Sequence, residues 1–115
     1  MDITKDKTDW NDSELAAAVE AYLKMLAWER NGQPFNKALE NRLLREGPVV
    51  GRAKGSIEFR MQNISTVLVR MGWDRIEGYK PAKNVGSGVE QRIRKALASH
   101  GVFESEDAAQ TADEQ

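Results

Sequence analysis

Apolar residues fall at intervals of three and four along most of this chain, and short runs of glycine, proline and asparagine break the pattern into blocks. In WNDSELAAAVEAYLKMLAWERNGQP, Leu15, Val19, Tyr22, Leu23 and Leu26 form one stripe, which predicts a helix over about 12–30. Asn11 is its expected N-cap, Glu14 three residues on completes a capping box, and Asn31-Gly32 before Pro34 is the expected stop. A shorter second helix begins at Asn36 in FNKALENRLLREGP. Its Leu39 and Leu43, with Leu44 beside them, are expected to be buried, and Gly47-Pro48 halts it because proline disfavours helix in the residue before it.

VVGRAKGS reads as a loop freed by its glycines, after which Ser56 is the expected cap of a third helix. Ile57, Met61, Ile64, Val67, Leu68 and Met71 make its core stripe, and Gly72 ends it. WDRIEGYKPAKNVGSG lacks periodicity and predicts an ordered loop anchored by Trp73, Ile76 and Tyr79. Ser87 and Glu90 suggest a second capping box for a fourth helix carrying Val89, Ile93, Ala96 and Leu97 and stopping at Gly101. Strand alternation is weak throughout: PVVGR is too short, and STVLVR lies inside a better helical register. The expectation is an all-α fold, a compact four-helix domain over 11–102, between a flexible N-terminus (1–10) and a disordered acidic tail (103–115).

Composition narrows the chemistry. A chain of 115 residues has room for one domain, and no apolar run approaches the ~20 residues of a membrane span. MDITKDKTDW lacks the apolar stretch of a secretory signal, so a cytoplasmic location is the default. There is no cysteine and His100 is the single histidine, so neither a thiolate zinc site nor a histidine pair can form. No metal or cofactor is expected. No nucleophile stands beside a base, and no Walker or GxGxxG sequence is present, so the chain is not expected to be an enzyme.

The net charge of −1 conceals a segregation. Residues 1–20 hold two lysines against six acids, and residues 104–115 hold five acids and no base. Residues 52–95, by contrast, carry ten bases and four acids. A locally basic body binds polyanions whatever the summed charge. On the third helix Arg60, Asn63, Thr66 and Arg70 map to one polar face, and arginine and asparagine are side chains that read guanine and adenine. Arg52 and Lys54 in the preceding loop, the helix start at Ser56, Lys80 and Lys83 in the later loop, and Arg92 and Lys95 on the fourth helix would meet phosphates. Two alternatives stand beside this: the cations solvate a surface and pair with acids, and Asn63 is a buried amide bonded to backbone.

The residues Phe35-Asn36-Lys37-Ala38-Leu39, the run GRAKGSIEFRMQNISTVLVRMGW, and Gly78-Tyr79-Lys80-Pro81 with Asn84 form a motif set covering roughly residues 12–100. This set resembles the N-terminal domain that precedes HNH nuclease domains in McrA-like modification-dependent restriction endonucleases. The resemblance implies a domain that binds double-stranded DNA, in some members with modified cytosine, and a role in defence. No nuclease domain accompanies it here, so cleavage would fall to a separate nuclease. Arg52, Lys54, Ser56, Arg60, Asn63 and Ser65 match the motif by position. The alternative is a protein-interaction or regulatory module with no nucleic-acid activity.

Overall fold

A computed structural model describes residues 9–105 and contains four α-helices and, among those residues, no strand. They are α1 (Asp12–Arg30), α2 (Lys37–Arg45), α3 (Lys54–Arg70) and α4 (Ser87–Ser99). The outermost parts of both acidic termini, 1–8 and 106–115, lie outside the described residues.

The start of α1 follows its sequence signal. The Asn11 side chain accepts from the Glu14 N–H at 2.8 Å, and the Glu14 carboxylate accepts from the Asn11 N–H at 3.0 Å, so two orphan donors of the first turn are satisfied reciprocally. Leu15, Val19, Tyr22 and Leu26 are buried as the stripe requires. They meet Ile57, Met61, Ile64, Val67, Leu68 and Met71 of α3 and its end, all buried, together with Ile93 and Leu97 of α4. α1 and α3 therefore form the centre, with α4 packed on both and α2 on the outside. The chain leaves α1, α3 and α4 through Gly32, Gly72 and Gly101, at φ of 69°, 86° and 78°, where a Cβ would be strained.

α2 differs from its expectation. Leu39 and Leu43 are exposed, and the inward face is instead Glu40, Asn41 and Leu44. Polar contacts set that rotation: Glu40 pairs with Lys24 at 2.8 Å, while the Asn41 amide donates to Lys54 O and accepts from Arg45 Nε. The two caps read at serines are also corrected. α3 begins at Lys54 with Ala53 as N-cap, and α4 begins at Ser87 with Gly86 as N-cap, neither with a side-chain cap bond. Glu90 is unavailable for a box because its carboxylate meets both Arg70 and Arg94.

The loop from 71 to 86 is ordered by polar bonds as well as by pegs. Ile76 and Tyr79 are buried, whereas Trp73 is 40% exposed and donates its indole N–H to Phe103 O. The buried Tyr22 hydroxyl accepts from the Ile76 N–H at 2.8 Å and shares a 2.7 Å bond with Ser65 Oγ. Thr66 Oγ1 donates to both Gln62 O and Ala82 O, tying the loop across α3. Both expected tail boundaries shift: Trp10 is buried in the core, and the Ser105 N–H donates to Met71 O.

Candidate nucleic-acid interface

The residues expected to contact DNA separate into three groups. Arg52, Asn63 and Ser56 form the first: the first two are buried, and the third is partly buried and loses only its expected role as helix cap. Arg52 is 4% exposed. Its Nε donates to Glu14 Oε2 at 3.0 Å and its Nη2 to Glu14 Oε1 at 2.9 Å and to Asp9 O at 3.0 Å. Gly51, at φ 92°, sets the turn that precedes it. A buried guanidinium held in this bidentate way does not offer its Nε–Nη2 fork to a phosphate. Asn63 is 1% exposed, and Thr66 is buried under the loop at Ala82, so these two members of the polar face expected to read bases are covered, while Arg60 is partly buried and Arg70 exposed. Ser56 lies within the first turn of α3 and does not cap it.

The second group consists of arginines already matched to acids. Arg70 pairs with Glu90, and Arg92 donates from Nε to Asp12 Oδ1 at 2.9 Å and from Nη2 to Trp10 O at 2.6 Å. Arg60 stands apart. Its Nη1 donates to Asn63 Oδ1 at 2.8 Å, its guanidinium carbon lies 5.1 Å from the centre of the Trp10 ring, and no ion pair is present to it among the described residues. The Arg52 guanidinium lies 5.2 Å from the same ring. Burial, then the like charges of Arg52 and Arg92, hold the Arg60 guanidinium below its ordinary value, with Asp9 opposing them.

The third group is exposed lysines. Lys54, Lys80, Lys83 and Lys95 are exposed. Lys95 faces away from the buried Ile93 and Leu97 of α4. Lys54 makes only a 3.9 Å contact with Glu58.

Lys54 also borders a polar groove of about 290 Å³, lined chiefly by Lys37, Asn41, Lys54, Glu58, Gln62 and Tyr79. Lys37 Nζ donates to Gly78 O at 2.9 Å and lies 4.9 Å from the centre of the Tyr79 ring. Lys80 follows Tyr79 directly, and Lys83 follows Ala82, whose N–H donates to Gln62 O at 3.4 Å. Tyr79 and Gln62 line the groove, whereas Lys80 and Lys83 do not and are connected to it only through these neighbours. Burial, ahead of Glu58, Tyr22 and Glu40, pushes the Tyr79 phenol up to about 12, so at neutral pH it is a proton donor and not an anion.

Neither Lys37 nor Asn41 is among the residues that the sequence marks for contact with DNA, whereas Gln62 stands with Arg60 and Asn63 on the third helix as a possible base reader. Lys37 lies in the FNKAL part of the motif, but only the meeting of α2 with the Gly78–Tyr79 turn reveals its position. Trp10 falls in the segment expected to be flexible, and nothing in MDITKDKTDW marks it as a core residue contacted by two arginines.

Comparison of the chain with protein families, with curated proteins and with solved structures returns no match. No helix among the described residues is long and apolar enough to cross a membrane.

Proposed function

We propose that this domain binds double-stranded DNA by its phosphate backbone, through the groove between α2, α3 and the 73–86 loop. One observation supports the reading above all. Lys37 and Lys54 line a groove together with Asn41, Gln62, Tyr79 and one acid, Glu58, and the exposed Lys80 follows Tyr79 in sequence while Lys83 follows Ala82, which is bonded to Gln62 O; Lys37, Lys80 and Lys83 have no carboxylate partner among the described residues. Ammonium groups meet phosphates as mobile point charges, and amides and a phenol add hydrogen bonds to phosphate or sugar oxygens. Readout of bases by Asn63 and Thr66 forms no part of this reading, because both are covered. The motif resemblance to McrA-like recognition domains adds modified cytosine as a preferred feature of the duplex and a separate nuclease as a functional partner.

The test is the affinity for a short duplex across a range of salt concentrations. Each phosphate contact releases counterions and contributes roughly −0.9 to the slope of log K against log salt. A slope of about −3 is expected for contacts by three or four lysines, and no binding at low salt overturns the reading. Equal affinities for plain and cytosine-methylated duplexes remove modified cytosine from it.

A second reading, protein docking, draws on a different face. Leu39, Leu43 and Val50 are 39%, 48% and 55% exposed along α2 and the turn after it. A partner seated there would be lost on Leu43→Asp with DNA affinity unchanged.

A further inference from the structure

Four arginines surround the N-terminal ends of α1 and α4, and three of them have carboxylates: Arg52 has Glu14, Arg92 has Asp12, and Arg94 has Glu90. Arg60, held against the Trp10 ring, has none among the described residues. Its Nε is covered by protein and has no acceptor, and the same holds for Asn63 Nδ2, on a side chain only 1% exposed. Leaving a covered donor unfilled costs about 1–3 kcal/mol, more for a charged group. Two such donors within one hydrogen-bonded pair point to an occupant.

The geometry of the guanidinium says which edge lacks an acceptor. Nη1 is committed to Asn63 Oδ1, which leaves Nε and Nη2 as a parallel fork with no acceptor among the described residues. Such a fork fits two oxygens of one oxyanion. Arg52 and Arg92 lie near it but are paired with Glu14 and Asp12, so the unpaired charge is that of Arg60 itself, and a cationic fork binds an anion of higher charge more strongly. A phosphate monoester carries about −1.5 to −2 at neutral pH, against −1 for a carboxylate or a backbone diester.

We propose that the Nε–Nη2 edge of Arg60 is a binding site for a phosphate monoester group, with Asn63 fixing the orientation of the guanidinium and the Trp10 ring packed beside it. Trp10 is held by its contacts with Arg52 and Arg60, and its indole N–H makes no hydrogen bond among the described residues. The ring lies 5.1 Å from the Arg60 guanidinium carbon, so its indole N–H signal reports occupancy. The site is separate from the lysine groove and stands or falls independently of DNA binding there.

The experiment follows the indole N–H signals of the full chain by NMR during titration with inorganic phosphate, against chloride at matched ionic strength. A saturable shift of the Trp10 signal, without one at Trp28 or Trp73, is expected. Arg60→Gln should weaken it roughly 10- to 100-fold, the loss of a charge-assisted fork. Arg60→Lys, which keeps the charge and loses the fork, should also weaken it and decides the matter if the glutamine variant does not fold. Lys37→Ala, Lys80→Ala and Lys83→Ala combined should leave it unchanged. No saturable shift, an equal shift in both Arg60 variants, an equal response to acetate, or loss in the lysine variant would each overturn the proposal. An oligonucleotide bearing a 5′-phosphate that binds more tightly than its unphosphorylated twin, through Arg60, identifies a nucleic-acid end as the source. Equal binding of the two, with the phosphate shift intact, identifies a small free monoester.

Discussion

Arg52 and Glu14 face one another across two hydrogen bonds of 3.0 and 2.9 Å, with their side chains 1% and 3% exposed. The pair joins the turn before α3 to the first turn of α1, residues 38 apart in sequence. Glu14 Oε1 also closes the capping box by accepting from the Asn11 N–H. One carboxylate therefore fixes both where α1 starts and where α3 is reached.

Removing either charge strands the other in the interior. Arg52→Ala is expected to destabilise the fold by about 3–5 kcal/mol, the usual consequence of breaking a buried ion pair from one side. Urea denaturation measures it. A loss below about 1 kcal/mol would mean that the pair is solvated and that Arg52 is free to meet a ligand after all.

Tyr22 serves as a polar node in the centre of the core. Its hydroxyl accepts from the Ile76 N–H and is bonded to Ser65 Oγ, and all three residues are buried. Tyr22→Phe keeps the ring and leaves an amide and a hydroxyl without partners, at a cost of about 1–3 kcal/mol. Hydrogen exchange at the Ile76 amide should accelerate by more than at Leu68, because the loop bond is lost first. Equal acceleration at both would indicate general loosening and not a local bond.

The stripes that build α1 and α3 were legible because periodicity reports burial directly: Leu15 through Leu26 and Ile57 through Met71 behave as their spacing requires. Asn11 and Glu14 were legible because their bonds are local. What escaped was decided at long range. Ser87 and Glu90 have the spacing of a capping box, yet Arg70 reaches Glu90 from another helix and takes the carboxylate. Leu39 and Leu43 have a helical stripe, yet Lys24 and Lys54 O draw Glu40 and Asn41 inward in their place. Arg52 reads as an exposed loop cation until Glu14 is brought against it. Of the candidate interface, Lys54, Lys80 and Lys83 were visible in sequence, while Lys37 required the turn at Gly78.

Tyr79 gives the fold an alkaline limit. Its phenol, raised to about 12 chiefly by burial, holds its proton more tightly in the folded chain than in the unfolded one, where the ordinary value is 10.0. Its contribution is therefore complete below pH 10 and is lost as the pH rises from 10 to about 12. Melting temperature measured over this window should fall less steeply in Tyr79→Phe than in the unaltered protein. Some slope should persist, since burial also raises Tyr22. Identical slopes would show that the Tyr79 hydroxyl is solvated.

The salt dependence of DNA binding separates the cations that touch phosphate from those that hold the fold. Lys80 and Lys83 are exposed and without carboxylate partners among the described residues. Replacing either by alanine should make the slope of log K against log salt shallower by about 0.9, one contact each, with thermal stability within about 0.5 kcal/mol of the original. Arg70→Ala should change the slope by less, because Glu90 already neutralises that guanidinium in the folded chain. Removing Arg70 also releases Glu90 to Arg94 alone, so local charge falls without the loss of a phosphate contact. An Arg70 variant whose slope falls as far as that of a lysine variant would move the interface from the Tyr79 groove to the α3–α4 junction.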